Sequence, residues 1–315
     1  MILVTGGLGF IGSHTVASLL RAGHEVVATQ FRTTRIPSFL ADALDKKLHL
    51  ESVDVASPHA VTEMVLRRQI TSIVHLVVTP LGRLSPAEDY RLNMSGLINV
   101  LEAGRIAGVT RVSLASSNAV YAGQPHGPFR EDMDLRLRAG FPTEAFKKAF
   151  EVLGLHFADR TGMSVACLRI SNVWGPLYHS MSNLPSRLAH AAVAGKPAPR
   201  PRPGGRPDFA EDAADSAYVK DVVEGIRLVH TAPALDHAAY NIGAGRAVSG
   251  ADFAAAVMKA VPGAAVTLQP GRGPDYRPDT AMDLTRAAAL GYRPAFGVDE
   301  GMADYVAWLR AGNPF

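Results

Sequence analysis

The chain has 315 residues, enough for one large α/β unit or two intimate domains with a substantial core. Hydrophobic residues make up 47% and charged residues 19%, the formal charge is +3, and the basic residues are scattered without interleaved aromatics, which argues against a nucleic-acid partner. One cysteine, Cys167, rules out an internal disulfide; with no apolar run long enough for a bilayer and no basic segment before the short N-terminal apolar run, the expectation is a cytoplasmic protein without membrane contact.

In chain order, MILVTGG reads as a strand, IGSHTVASLLRAG as a helix and HEVVATQF as a strand. ASPHAVTEMVLRRQ reads as a helix, SIVHLVV as a strand, RLNMSGLINVLEAGRIAG as a helix and RVSLASS as a strand. GFPTEAFKKAFE opens another helix: Pro142 suits a helix start, where a missing N–H costs nothing, and Phe146, Phe150 and Leu153 follow at helical spacing. SVACLRISNVW is the next strand, with Cys167 inside it. Uniformly apolar strands alternating with amphipathic helices predict an α/β fold, a doubly wound parallel sheet of Rossmann type covered on both faces.

The pattern loosens after about Gly175. AGKPAPRPRPGGRPDFAEDAADS, rich in Pro, Gly and Arg, predicts a long surface loop. Helical segments around Val219–Thr231 and Gly250–Val261 follow, with YNIGA between them, and Asp299 to Leu309 reads as a closing helix with Trp308 packed inward. The expected division is a larger α/β domain over 1–172 and a smaller, mixed part over 173–315 without an independent core, segments around 218–245 returning to the first part.

TGGLGFIGS sets Gly6, Gly9 and Gly12 directly after a strand and at the opening of a helix, with Phe10 and Ile11 among them. Glycines permit a tight turn and close backbone approach, and the helix N-terminus faces a pyrophosphate, so this first strand–helix junction is a candidate dinucleotide site. The second strand ends at Gln30, where a carboxylate reading the adenosine ribose would favour NAD. No such carboxylate stands there, and Arg32 and Arg35 follow, so NADP is favoured over NAD; the two arginines are otherwise solvated loop residues. Asp54, with Val55, follows a later strand and is suited to the adenine edge.

These residues resemble the extended short-chain dehydrogenases/reductases, in the NAD-dependent epimerase/dehydratase group. VTGGLGFIGSHTV is similar to that family's opening turn, IVHLVV to its HLAA strand and RLNMSGLINVLEA to its asparagine-bearing helix. LASSNAVYAG, LRISNVWGP, YVKDVVEGI and YNIGAGRAVS are similar to later landmarks in the same order. The resemblance implies cofactor contacts at Leu76, Val77 and Asn93, with Thr79 a candidate substrate contact, and a homodimer built through the Asn93 and Lys147 helices. Leu97, Val100, Leu101, Phe146 and Phe150 would allow that dimer or equally cover the sheet.

The family's chemistry uses a Ser or Thr, a Tyr and a Lys, general acid–base catalysis coupled to hydride transfer. By resemblance Ser117 takes the serine role, Ser116 turning towards the sheet, and Lys147 takes the lysine role, also holding the nicotinamide ribose. The tyrosine's position is then Thr143, an aliphatic hydroxyl far too weak an acid for a phenol's work. Shifting the register by one offers Glu144 before Lys148 but loses the other matches, and the plain reading of Lys147 and Glu151 is a solvated charge pair. Tyr178, His179 and Tyr121 are candidates for the missing acid/base.

On the substrate side Asn172 corresponds to a family contact to a nucleotide sugar, or forms the turn before Trp174. Ala214 stands where the family has a diphosphate-binding arginine, Lys220 replaces an acidic residue, and Arg272 resembles a second phosphate-contacting arginine. Arg200, Arg202 and Arg206 lie in the loop and would suit an anion or simply belong to an exposed connector; Arg206 is a candidate substrate contact. The histidines form no metal pair, and His75 reads as a core or cofactor-adjacent side chain. The resemblance thus implies an NAD(P)-dependent oxidoreductase, epimerase or dehydratase acting on a sugar, sugar acid or nucleotide sugar; the alternative is a redox-silent dinucleotide-binding protein or a non-redox enzyme on the same scaffold.

Overall fold

Seven parallel strands form the main sheet, in the order β3-β2-β1-β4-β5-β6-β9, in a computed structural model that describes residues 1–31, 35–78, 84–198, 207–274, 276–277 and 280–313. Along the chain run β1 (Ile2–Thr5), α1 (Phe10–Arg21), β2 (Val26–Gln30), α2 (Ser38–Ala41), β3 (Leu48–Ser52), α3 (Pro58–Arg67), β4 (Ser72–His75), α4 (Pro86–Ile106) and β5 (Arg111–Ser117). A 3₁₀ turn (Asn118–Tyr121) follows, then α5 (Pro142–Thr161), β6 (Ser164–Ile170), β7 (Asn172–Trp174), α6 (Leu184–Val193), β8 (Ala213–Tyr218), α7 (Val219–Thr231), β9 (Ala239–Ile242), β10 (Ala247–Ser249), α8 (Gly250–Ala260), α9 (Thr285–Ala289) and α10 (Val298–Arg310). This is the expected Rossmann-type α/β architecture.

Successive residues of a strand face opposite sides of the sheet, and β1 shows how that divides the core. Ile2 and Val4 join Val16 and Leu19 of α1 and Val222 and Ile226 of α7 in one apolar cluster. Leu3 joins Val61 of α3, Leu97 and Val100 of α4 and Phe150 of α5 in another. Strand order reverses direction at β1, which pairs with β2 on one side and β4 on the other, so the carboxyl ends of β1 and β4 open the crevice where such sheets take ligands. Pro142 occupies the first turn of α5, as its sequence predicts, and Gly162 ends that helix in the left-handed conformation (φ 76°).

Two features differ from the sequence expectation. The stretch read as one long surface loop ends inside β8, which pairs with β7 in parallel and β10 antiparallel to make a second, three-stranded sheet. AADSAY lacks an apolar strand pattern because its hold is tertiary: buried Asp215 accepts backbone N–H bonds from Ala244 (2.7 Å), Gly245 (3.0 Å) and Met282 (3.0 Å). The C-terminal elements also share an apolar cluster of their own, with Trp174, Leu188, Tyr218, Phe253, Met302 and Tyr305 at its centre, whereas the sequence led us to expect none. Its members are spread over more than a hundred residues of the chain, so no local periodicity reveals them. Trp308 packs against this cluster from α10, as expected. Among the described residues no helix is long and apolar enough to cross a membrane.

Candidate functional site

The site begins where β1 gives way to α1. Gly6 takes a left-handed φ of 68° and its N–H donates to Thr29 Oγ1 (3.0 Å), while the Gly9 N–H returns to the Gly6 carbonyl (2.9 Å). A Cβ on Gly12 would stand 2.0 Å from the Gly6 carbonyl oxygen, so only glycine closes this turn. The N-terminus of α1 has no side-chain cap and no acidic residue in its first turn. Phe10 and Ile11 therefore present helix-start N–H groups and the positive end of the dipole outward, an arrangement that fits an anionic pyrophosphate.

Apart from Lys147 in α5, the other expected cofactor residues among those described stand at the ends of β2, β3 and β4 and in α4. Thr5 Oγ1 hydrogen-bonds His75 Nδ1 (2.8 Å) and accepts the Leu76 N–H (3.2 Å), tying β1 to β4. Burial, reinforced by the charge of Lys147, pushes the His75 pKa down to about 3, so this ring is neutral. Val77 lies 3.1 Å from where a Cβ on Gly6 would sit. Gln30 ends β2, half-buried, and Asp54 Oδ1 accepts the Ala56 N–H (2.9 Å), shaping the chain at Val55, whose carbonyl takes Asn99 Nδ2 (3.0 Å). Asn93 is buried in α4 and donates to the Asp89 carbonyl (2.9 Å). Arg32, Thr79 and Arg206, like Arg200 and Arg202, lie outside the described residues.

The end of β5 and the middle of α5 carry the catalytic candidates. Ser117 Oγ accepts the Ala119 N–H (3.2 Å) and donates to Asn118 Oδ1 (3.2 Å), and Ser116 faces the other way, donating to Glu151. Lys147 is buried; its Nζ donates to the Ala115 carbonyl (2.5 Å) and stands 5.1 Å from the centre of the Phe150 ring. Burial pushes its pKa down to about 8, with Glu151 acting in the opposite direction. Glu151 is no solvated partner of Lys147: it is buried and takes Arg169 through both oxygens (2.7 and 3.0 Å). Glu144 and Lys148 close their own buried pair at 2.6 Å, and Glu144 also accepts the Gly140 N–H (2.8 Å), so the shifted register describes a structural pair.

Beside the α1 N-terminus opens a cavity of about 600 Å³. Phe10 and Ile11 line it from the turn, Ser117 and Asn118 from the end of β5, and Asn172 and Tyr178 from the segment after β6. The Tyr178 ring meets Phe10 edge-on (5.2 Å, 82°), and its hydroxyl bonds Ser182. This segment is fixed to α1 by His14, whose Nε2 meets the Pro176 carbonyl at 3.1 Å and whose pKa burial lowers to about 4. Left-handed Leu177 (φ 71°) precedes Tyr178, a conformation held only by surrounding structure.

Of the predicted catalytic residues, Ser117 and Tyr178 meet at this cavity; Thr143 and Lys147 are not among its described lining residues. Nor is Tyr121, which is buried, bonded to Asn241 (2.8 Å) and Arg169 (2.9 Å), its pKa raised to about 12 by burial. His179 belongs to a smaller cavity of about 310 Å³ with Arg35 and His190. Asn172 donates to the Asp215 carbonyl (3.1 Å) at the rim. Arg272 pairs with Glu211 (3.1 Å) and stacks over Tyr276 (4.4 Å), and Lys220 pairs with Asp304 (2.7 Å). Asn118, next in the chain to Ser117, also lines the cavity, as do Asn183 and Asp212, which only the folded chain brings to the same cavity as Ser117. Among the described residues no group of His, Cys, Asp and Glu could hold a metal ion.

The profile of the NAD dependent epimerase/dehydratase family matches residues 2–243. UDP-glucose 4-epimerase of Mycolicibacterium smegmatis is 29% identical over 318 residues, 98% of each chain. dTDP-glucose 4,6-dehydratase of Streptomyces griseus is 28% identical over 317 residues, 98% of this chain and 93% of its own. Among solved structures, the UDP-glucose 4-epimerase of Thermus thermophilus in complex with NAD superposes with a TM-score of 0.81 at 28% identity, over 98% of both chains.

Proposed function

Because the chain belongs to the NAD-dependent epimerase/dehydratase family of extended short-chain dehydrogenases/reductases, we propose that it is a sugar-modifying enzyme in which Tyr178, rather than residue 143, handles the proton. The observation that carries this is the cavity itself, shared by Ser117, Tyr178 and the cofactor-facing start of α1, with Thr143 outside its described lining. Bound nicotinamide supplies hydride transfer. In the oxidising direction Tyr178, as its phenolate, would take the proton of a substrate hydroxyl whose oxygen Ser117 Oγ holds, while the hydride of the carbon that bears it would pass to the nicotinamide. Lys147 supports the end of β5 through the Ala115 carbonyl instead of reaching the cavity. The division into a cofactor part over 1–172 and a substrate part over 173–315 belongs to the same reading.

Gln30 in place of a carboxylate removes a charge that would repel a 2′-phosphate, so NADP binds at least as well as NAD. Tyr90 and Ile98 of α4 and Val152 and Leu153 of α5 are exposed, and the Tyr90 and Phe146 rings join the two helices at 5.2 Å. That apolar face supports a homodimer.

The test is an assay of purified protein with NAD, NADP and their reduced forms against sugars, sugar acids, small ketones and nucleotide sugars, read by nicotinamide absorbance and product NMR. A net absorbance change marks a dehydrogenase, and altered product without one marks an epimerase or dehydratase. Threonine at position 143 and the inward turn of Lys147 favour a second reading, a redox-silent binding protein; tight cofactor binding with no turnover on the whole panel would establish it.

A further inference from the structure

The charged side chains among the described lining residues of the substrate cavity are two carboxylates, Asp208 and Asp212. Asp208 is matched, because buried Arg187 donates to both its oxygens at 2.7 Å. Asp212 is not. Its Oδ1 accepts the Gly273 N–H (2.8 Å), and no cation pairs with it among the described residues. Arg272, next in the chain to Gly273, is engaged by Glu211 and Tyr276 instead. Ala214 contributes a methyl group to the same wall, Asn172, Asn183 and Ser216 contribute neutral polar groups, and Trp174 and Phe253 contribute apolar ring surface.

We propose that this cavity takes an unphosphorylated, uncharged sugar, with Asp212 as the residue that selects it. A carboxylate is an acceptor with room for several donors, and adjacent sugar hydroxyls supply them. A nucleoside diphosphate would instead set two negative phosphates near a carboxylate that no described cation neutralises, in a partly desolvated cavity where like charges repel strongly. This inference rests on the cavity being the substrate site, as proposed above, but it concerns binding and is independent of which residue moves the proton.

The experiment titrates NAD-loaded protein with UDP by calorimetry and measures free hexoses by saturation-transfer NMR, so neither readout needs turnover. Expected are saturation transfer from a free hexose that Asp212→Asn removes, and UDP binding that is absent in the wild type. Asp212→Asn and, independently, Ala214→Arg are expected to raise UDP affinity by about tenfold or more, the effect of one unit charge in a partly screened site. UDP binding to the wild type at micromolar concentration would overturn the proposal, and its loss in an Arg200, Arg202 and Arg206 triple alanine variant would assign the missing cations to that loop. Hexose binding indifferent to Asp212→Asn, or no hexose binding at all, would overturn it as well. A wild type that binds hexose as expected but turns nothing over would leave this inference standing and count against the catalytic reading alone.

Discussion

Lys147 Nζ and the main-chain carbonyl of Ala115 meet at 2.5 Å inside the protein, beneath the strand that ends in Ser117. The ammonium is desolvated there, and its pKa falls from 10.5 to about 8. Between those values the unfolded chain holds a proton that the folded protein has released. Stability therefore rises with pH across that window, and the cost of the buried charge is fully present below about pH 8. At pH 9 the slope contributed by this one group is about 1.4 kcal/mol per pH unit. Denaturant unfolding of wild type and Lys147→Met between pH 8 and 10 checks it: the slope should drop by about one proton in the variant. An unchanged slope would mean the lysine is solvated.

Glu151 and Arg169 form a buried pair at 2.7 Å that joins α5 to β6, with Ser116 and Tyr121 on its two sides. Removing one partner leaves an uncompensated buried charge, which costs about 3–5 kcal/mol. Arg169→Leu should lose that much in urea unfolding, while the double variant Arg169→Leu, Glu151→Leu should lose clearly less than the sum of the single changes. Additive losses would show that the two side chains act separately.

Three buried histidines set the acid limit. Burial lowers His14 from 6.5 to about 4 and His75 and His230 to about 3; His230 is held between Ser113 Oγ and Ser72 Oγ at 2.8 and 2.9 Å. Because these folded values are depressed, the unfolded chain binds more protons, and stability is lost as pH falls from 6.5 towards 3. Proton uptake on unfolding at pH 5, measured from the pH dependence of stability, should fall by about one in His230→Gln.

What was legible in the sequence follows from how local each cause is. The glycine turn needs no partner beyond the strand and helix that flank it, so Gly6 and Gly12 could be read directly. Lys147 could be found by its register on α5, but not its direction, because the Ala115 carbonyl that holds it lies 32 residues away. Glu151 looked like a surface charge because its partner, Arg169, is on the next strand. β8 was missed because Asp215 is secured by loops that come later in the chain. Asp212 carried no signal, since its role depends on which walls the fold brings together.

The exposed apolar face of α4 and α5 yields a prediction about assembly. Val152 is 68% exposed and Ile98 49% exposed, too much apolar surface on adjoining helices for a monomer to leave in water without consequence. Sedimentation should give a dimer for the wild type and a monomer for Ile98→Asp, Val152→Asp, with secondary structure retained. A monomeric wild type would refute the homodimer.

The most direct measurement compares kcat of Tyr178→Phe and Thr143→Val on a substrate that the assay panel identifies, with cofactor affinity measured alongside. Expected is a fall of about 10²–10⁴ for Tyr178→Phe, the usual contribution of a general acid–base group, and less than about threefold for Thr143→Val, with cofactor binding unchanged in both. A large loss in Thr143→Val with Tyr178→Phe near wild type would contradict the assignment and return the chemistry to the turn of α5 before Lys147.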